Sequence, residues 1–147
     1  MVHLGPQTCG QSMWSHGAVV SWSCYVKTTT CPMVNCEEDE TLQHLLMDCY
    51  RTEEVWSLLR GIGLEFNIKY SSIMYCILDE KMDIKNRELC RLVICITCMQ
   101  IWKTRCKMIL NQTIINRDTI VKQILTELRR RRSLDKSETQ PWGILSL

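Results

Sequence analysis

The chain has 147 residues, 46% of them hydrophobic, and a formal net charge of +2, which suits one small globular domain with a real core. Its most apolar run, residues 92–102, is about half of the roughly 20 residues that a membrane-spanning helix needs. The sequence does not open on a basic stretch followed by an apolar one, so no secretory signal is expected, and the reading is an intracellular protein of the nucleus or cytoplasm.

Ten cysteines in a reducing compartment point to metal binding wherever they cluster, because disulfide frameworks belong to oxidising environments. The small net charge conceals an asymmetry. Residues 37–56 hold seven acids (Glu37, Glu38, Asp39, Glu40, Asp48, Glu53, Glu54) against one base, Arg51. Residues 57–110 come to about +4 and residues 111–147 to about +3, with four consecutive arginines, Arg129, Arg130, Arg131 and Arg132. The acidic segment is N-terminal to a basic half.

Residues 1–30 are broken by Gly5, Pro6, Gly10 and Gly17 and read as loosely structured. Residues 41–48 predict a short helix, with Asp39 or Thr41 as cap and Leu42, Leu45 and Leu46 at helical spacing. A second helix is expected from Thr52 as N-cap, with Glu53 and Glu54 in its first turn, Val55, Trp56 and Leu59 on its apolar face, and Gly61 as its stop. Ser71 or Ser72 can cap a further short helix through residue 78, followed by a charged connection over 79–85.

Residues 86–110 form the longest helical candidate, with Leu89, Leu92, Val93, Ile96, Met99, Met108 and Leu110 at its apolar positions. Asp118 then caps an amphipathic helix whose stripe is Ile120, Val121, Ile124, Leu125 and Leu128. From Ser133 the composition reads as a flexible tail. The expected fold class is therefore mainly α: a small knuckle over 31–61, a helical region over 62–132 with one long and one amphipathic helix, and a tail over 133–147.

The chemistry concentrates in CPMVNCEEDETLQHLLMDCYRTEEVW, residues 31–56. Cys31, Cys36, His44 and Cys49 are spaced Cys-x4-Cys-x7-His-x4-Cys and supply three thiolates and an imidazole, the donor set of a closed tetrahedral zinc site. Five residues along a continuous α-helix rotate about 500°, roughly 140° out of alignment, so the chain must turn near Asp48 if His44 and Cys49 are to meet. Four protein ligands leave no open position, and zinc binding of about 10–16 kcal/mol is enough to fold a region poor in apolar residues.

These residues carry a resemblance. The run CP…C…EExETLxHLLxxC followed by Val55-Trp56 resembles the reverse transcriptase zinc-binding domain of LINE-type, non-LTR retrotransposon polyproteins. The segment Ile101-Trp102-Lys103-Thr104-Arg105-Cys106 resembles that family's I-W-x-x-R-N block, and Trp14 with His16-Gly17-Ala18 resembles its upstream segment. The likeness implies a Zn2+-binding knuckle on a helical unit, without catalytic residues of its own, binding nucleic acid during target-primed reverse transcription.

RNA or DNA contact is assigned to Lys103, Arg105, Lys107, Arg129, Arg130, Arg131 and Arg132, because the acidic residues 37–56 would repel phosphates. Two other readings stand beside it: a protein-interaction module whose acidic knuckle docks on a retroelement polymerase core or another partner, and a decayed retroelement fragment. No membrane or small-molecule substrate is expected. Cys95 and Cys98 share CxxC spacing but fall within the long helix and read as buried, inert thiols. Trp56 and Trp102 read as core. His16 and Cys24 are reserve ligands, and His3 has no assigned role.

Overall fold

The computed structural model describes residues 30–63, 69–70, 73, 82–136 and 141–145. The expectations for residues 1–29, including Trp14, His16 and Cys24, and for most of a helix over 71–78 lie outside the described residues. The described architecture is mainly helical. An antiparallel bridge between Thr30 and Asp39 closes a loop, a π-helical turn His44–Asp48 follows, and three helices come next: α1 (Tyr50–Arg60), α2 (Ile84–Asn111) and α3 (Arg117–Leu134). A 3₁₀ turn, Trp142–Ile144, lies beyond them.

Local chemistry sets each boundary. Thr41 caps the first helical turn, its Oγ1 accepting from the His44 amide at 3.0 Å. The turn then widens, and the Cys49 amide donates five residues back to the His44 carbonyl at 2.8 Å. Cys49 itself is extended (φ −63°, ψ 128°), so the chain breaks beside Asp48, where the sequence places a turn.

α1 begins two residues before the expected cap, because Cys49 takes the N-cap place and Thr52 falls inside the first turn. The Thr52 hydroxyl is buried and donates to the Leu45 carbonyl at 2.8 Å, while the Trp56 indole N–H donates to the Leu46 carbonyl at 2.8 Å. The last carbonyls of a helical turn lack partners within it. Here two side chains of the next helix supply them. α1 ends at Arg60, before Gly61, and Gly63 adopts φ 103°, a left-handed backbone that glycine enters without strain.

α2 is longer than its apolar pattern predicts. Asp83 caps it, accepting from the Lys85 amide at 3.0 Å, so part of the expected charged connection is helix. The helix runs about 42 Å and stops where Gln112 turns left-handed (φ 50°). Leu89, Cys90, Val93, Ile94, Ile96, Thr97, Ile101, Thr104 and Met108 make its buried face. Leu110, expected on that face, is 71% exposed, because two helical turns separate it from Lys103 and it shares the exposed side of Lys103 and Lys107.

The short connection 112–116 folds α3 back onto α2, which suits antiparallel neighbours. Asn116, not Asp118, is the N-cap of α3, its Oδ1 accepting from the Asp118 amide at 3.1 Å. Ile120, Ile124 and Leu128 are buried, with Val121 and Leu125 packed partly against them, so the predicted stripe faces inward.

α1 and α2 both pack on α3, and the π-helical turn packs on α1 and α2. The shared core joins Leu45, Leu46, Val55, Trp56 and Leu59 to the buried faces of α2 and α3. Each fully buried aliphatic side chain stabilises this core by about 1.5–3 kcal/mol.

The segment read as a tail also contributes. α3 continues to Leu134, and Trp142 and Leu145 join the core, with the Trp142 indole N–H donating to Asp135 Oδ2 at 2.8 Å. A polar composition hid two large apolar side chains that return to the core.

Two outcomes follow for stability. Trp142→Ala should lower the unfolding free energy by about 3 kcal/mol, as large-to-small core substitutions do, read from the urea midpoint at constant slope. Thr97 is fully buried and, among the described residues, its hydroxyl has no hydrogen-bond partner; Thr97→Val, nearly isosteric, should therefore raise the melting temperature by removing a polar group whose burial costs about 1–3 kcal/mol.

Candidate metal centre

The four predicted ligands converge. One donor atom from each of Cys31, Cys36, His44 and Cys49 lies within 4.8 Å of every other, close enough to hold one metal ion. The Cys31 and Cys49 sulfurs are 3.8 Å apart, and Cys36 Sγ is 3.3 Å from His44 Nε2. A sulfur pair at 3.8 Å is not a disulfide, whose bond is about 2.05 Å. Cys31, His44 and Cys49 are buried and Cys36 is half-buried.

Two local structures bring the pairs together. The first is the loop 30–39. The Cys31 amide donates to the Glu38 carbonyl at 2.9 Å beside the Thr30–Asp39 bridge, and the Cys36 amide donates to the Met33 carbonyl at 3.0 Å. Asn35 sits at the third place of that Met33–Cys36 turn with φ 64°, an angle that asparagine tolerates far better than most residues. The wide Cys-x4-Cys interval thus contains a β-turn that returns Cys36 toward Cys31. The Tyr50 hydroxyl donates to the Val34 carbonyl, fastening this turn to the start of α1. The second structure is the π-helical turn and its break, which bring His44 and Cys49 together.

The thiols are unequal. The Cys31 thiol beside it, then the backbone N–H groups of Arg51 and Thr52 at the start of α1, with His44, hold Cys49 down to about 5. Cys31 moves the opposite way, raised by its hydrogen bond to Cys49 and by burial. The downward direction at Cys49 agrees with its place at a helix N-terminus, which favours the thiolate form.

The acids around the centre divide. Glu37, Glu38, Asp39, Asp48 and Glu53 are exposed. Glu40 is not. Its carboxylate makes a two-armed hydrogen-bonded ion pair with the guanidinium of Arg105 on α2, and the two side chains are only 5% and 4% exposed. Arg105 also lies over the Trp102 ring, 5.2 Å from its centroid. Burial acts to lower its pKa, but Glu40, with Cys106, outweighs that and raises it.

This corrects one sequence expectation: Arg105 is 3% exposed and does not belong to a solvent-facing basic surface. The clue was present in the spacing. Arg105 falls four residues after Ile101 and three before Met108, on the buried stripe, whereas Lys103 and Lys107 fall off it and are exposed. Met108 continues the contact, packing with Cys31, Met33 and Cys49 in a small apolar cluster.

The other expected basic residues, Arg129, Arg130, Arg131 and Arg132, are exposed on the last turns of α3. Arg130 and Arg131 hold Glu127, with Nε to carboxylate distances of 2.8 and 2.9 Å. Cys90 is buried and pushed up to about 11 by that burial. Cys95 and Cys98 are half-buried on α2, and neither is in a disulfide. Trp56 is core, and Trp102 is half-buried against it. Among the described residues no helix is long and apolar enough to cross a membrane.

No protein-family model, curated protein or solved structure matches the chain. The site therefore stands on its geometry: a Cys3His cluster able to hold a metal ion, seated on a helical unit.

The Arg130 side chain, with Arg131, lowers Glu127 from its ordinary value of 4.5 to about 2. A carboxylate depressed by folding stabilises the fold above its unfolded value, and that contribution disappears as pH falls through the folded one. Between pH 4.5 and 2 the chain should lose stability progressively, and Glu127→Gln should flatten this part of the profile in thermal melts recorded by circular dichroism.

Proposed function

We propose that the chain is a noncatalytic zinc-binding module, similar to the zinc-binding domain of LINE-type reverse transcriptases, which contacts RNA or DNA through exposed cations on α2 and α3. The observation that carries the metal half is the convergence of four donors within 4.8 Å. Zinc holds sulfur at about 2.3 Å and nitrogen at about 2.0–2.1 Å, so a tetrahedral site has S–S edges of about 3.8 Å and S–N edges of about 3.6 Å. The Cys31–Cys49 separation of 3.8 Å equals the first edge, and the Cys36–His44 separation of 3.3 Å is slightly shorter than the second.

Three soft sulfurs and an imidazole suit zinc better than calcium or magnesium, which prefer oxygen. When bound, zinc supplies a cross-link between the loop 30–39 and the start of α1. The ligand set is complete without solvent, which favours a structural role.

The nucleic-acid half is supported by charge placement and by the family resemblance. Lys103, Lys107, Arg129 and Arg132 are exposed, while Arg130 and Arg131 share the charge of Glu127. Cations that displace counterions from phosphates bind in a strongly salt-dependent way. Glu127 offsets part of the attraction of its two partners, leaving Arg129 and Arg132 as the strongest phosphate contacts among the four.

The 147-residue chain purified without added metal should contain one zinc per chain by elemental analysis and lose it to a strong chelator. Its affinity for duplex DNA or RNA should fall steeply with ionic strength, and Arg129→Gln with Arg132→Gln should reduce the slope of log K against log salt by about 2. Metal-free protein as isolated would reject the zinc half; an absent or salt-independent interaction would reject the nucleic-acid half.

A further inference from the structure

Glu40 occupies an unusual place in the metal loop. It follows Asp39, which closes the bridge to Thr30, and precedes Thr41, which caps the helical turn bearing His44. It is thus the joint between two ligand pairs: Cys31 and Cys36 on one side, His44 and Cys49 on the other. Neither pair is covalently tied to the other across this joint except by the backbone at Glu40.

All four ligands come from residues 31–49, yet the residue that holds the joint comes from α2, sixty-five positions along the chain. The Arg105 guanidinium is planar and grips both carboxylate oxygens of Glu40. A two-armed grip fixes angle as well as distance. The indole of Trp102 backs the guanidinium, and Met108, one turn beyond Arg105, packs on Cys31, Met33 and Cys49. α2 therefore acts as a splint across the joint.

From this arrangement we infer that Arg105 and Glu40 are positioning residues for the metal centre, and that metal uptake and the seating of the cysteine loop on α2 are one coupled event. The inference rests on the metal-binding reading and deepens it: the knuckle is not an independent zinc-binding peptide, and part of its affinity is stored in the helical hairpin. Linkage is reciprocal. Whatever displaces α2 weakens the metal, and whatever removes the metal loosens the loop from α2.

The test uses the full chain, with Zn2+ affinity measured by competition against a chelator of known affinity. Glu40→Gln and Arg105→Met should each weaken zinc binding by about 10–100-fold, the usual effect of losing a group that orients metal ligands. The double variant should be no weaker than the poorer single, because both remove one interaction. Arg105→Lys, which keeps the charge and loses the fork, should fall between.

Cobalt-substituted variants should retain the absorption bands of the wild-type three-sulfur, one-nitrogen ligand set, which separates positioning from ligand loss. A purely structural role would destabilise the metal-free and metal-loaded chains equally and leave the affinity unchanged. That result, in a wild-type chain that does bind zinc, would overturn the coupling alone. A wild-type chain that takes up no zinc would remove the metal reading and this inference together.

Discussion

His44 and Cys49 are five residues apart and must face one point, and this constraint sets the course of the chain around them. An α-helix cannot satisfy it, so the backbone widens into a π-helical turn and then breaks at Cys49. The break serves a second purpose, because Cys49 also begins α1 and places its sulfur against the first amides of that helix. The carbonyls freed at Leu45 and Leu46 are taken by Thr52 and Trp56. Those two bonds fix how α1 leaves the turn, and with it the direction in which Val55, Trp56 and Leu59 enter the core.

The centre is joined to the rest of the fold by a buried ion pair and a methionine. A pair such as Glu40–Arg105 is not a strong source of net stability, since removing two charges from water offsets much of their attraction. Its value lies in geometry: a two-armed grip admits few arrangements, whereas the apolar contact of Met108 admits many. The hairpin of α2 and α3 provides most of the core, and the pair specifies where on that hairpin the cysteine loop sits.

Much of this was legible in the sequence where chemistry and period agree. The Cys3His cluster is legible because three cysteines and a histidine are rare neighbours, and the break near Asp48 follows from helical rotation if His44 and Cys49 are to meet. α3 was legible from the stripe Ile120, Ile124 and Leu128, and the body of α2 from its apolar run.

The failures have a common physical source: a residue's type was given more weight than its position. The charge of Arg105 points to solvent, although its spacing from Ile101 and Met108 puts it inside. The Thr52 hydroxyl suggests a cap, although Cys49 holds that place. The polar majority after residue 133 suggests a tail, although Trp142 and Leu145 join the core. Leu110 is the opposite case, an apolar residue that stands in water because it lies in line with exposed Lys103 and Lys107.

The left-handed backbone at Asn35 has a consequence for how such a site varies. Its side chain is exposed, yet the turn it permits determines whether the second cysteine arrives at all. The interval between the first two cysteines is thus governed by stereochemistry, and the alphabet admissible at position 35 is ordered by a torsion angle, with glycine and aspartate nearest to asparagine and β-branched side chains furthest away.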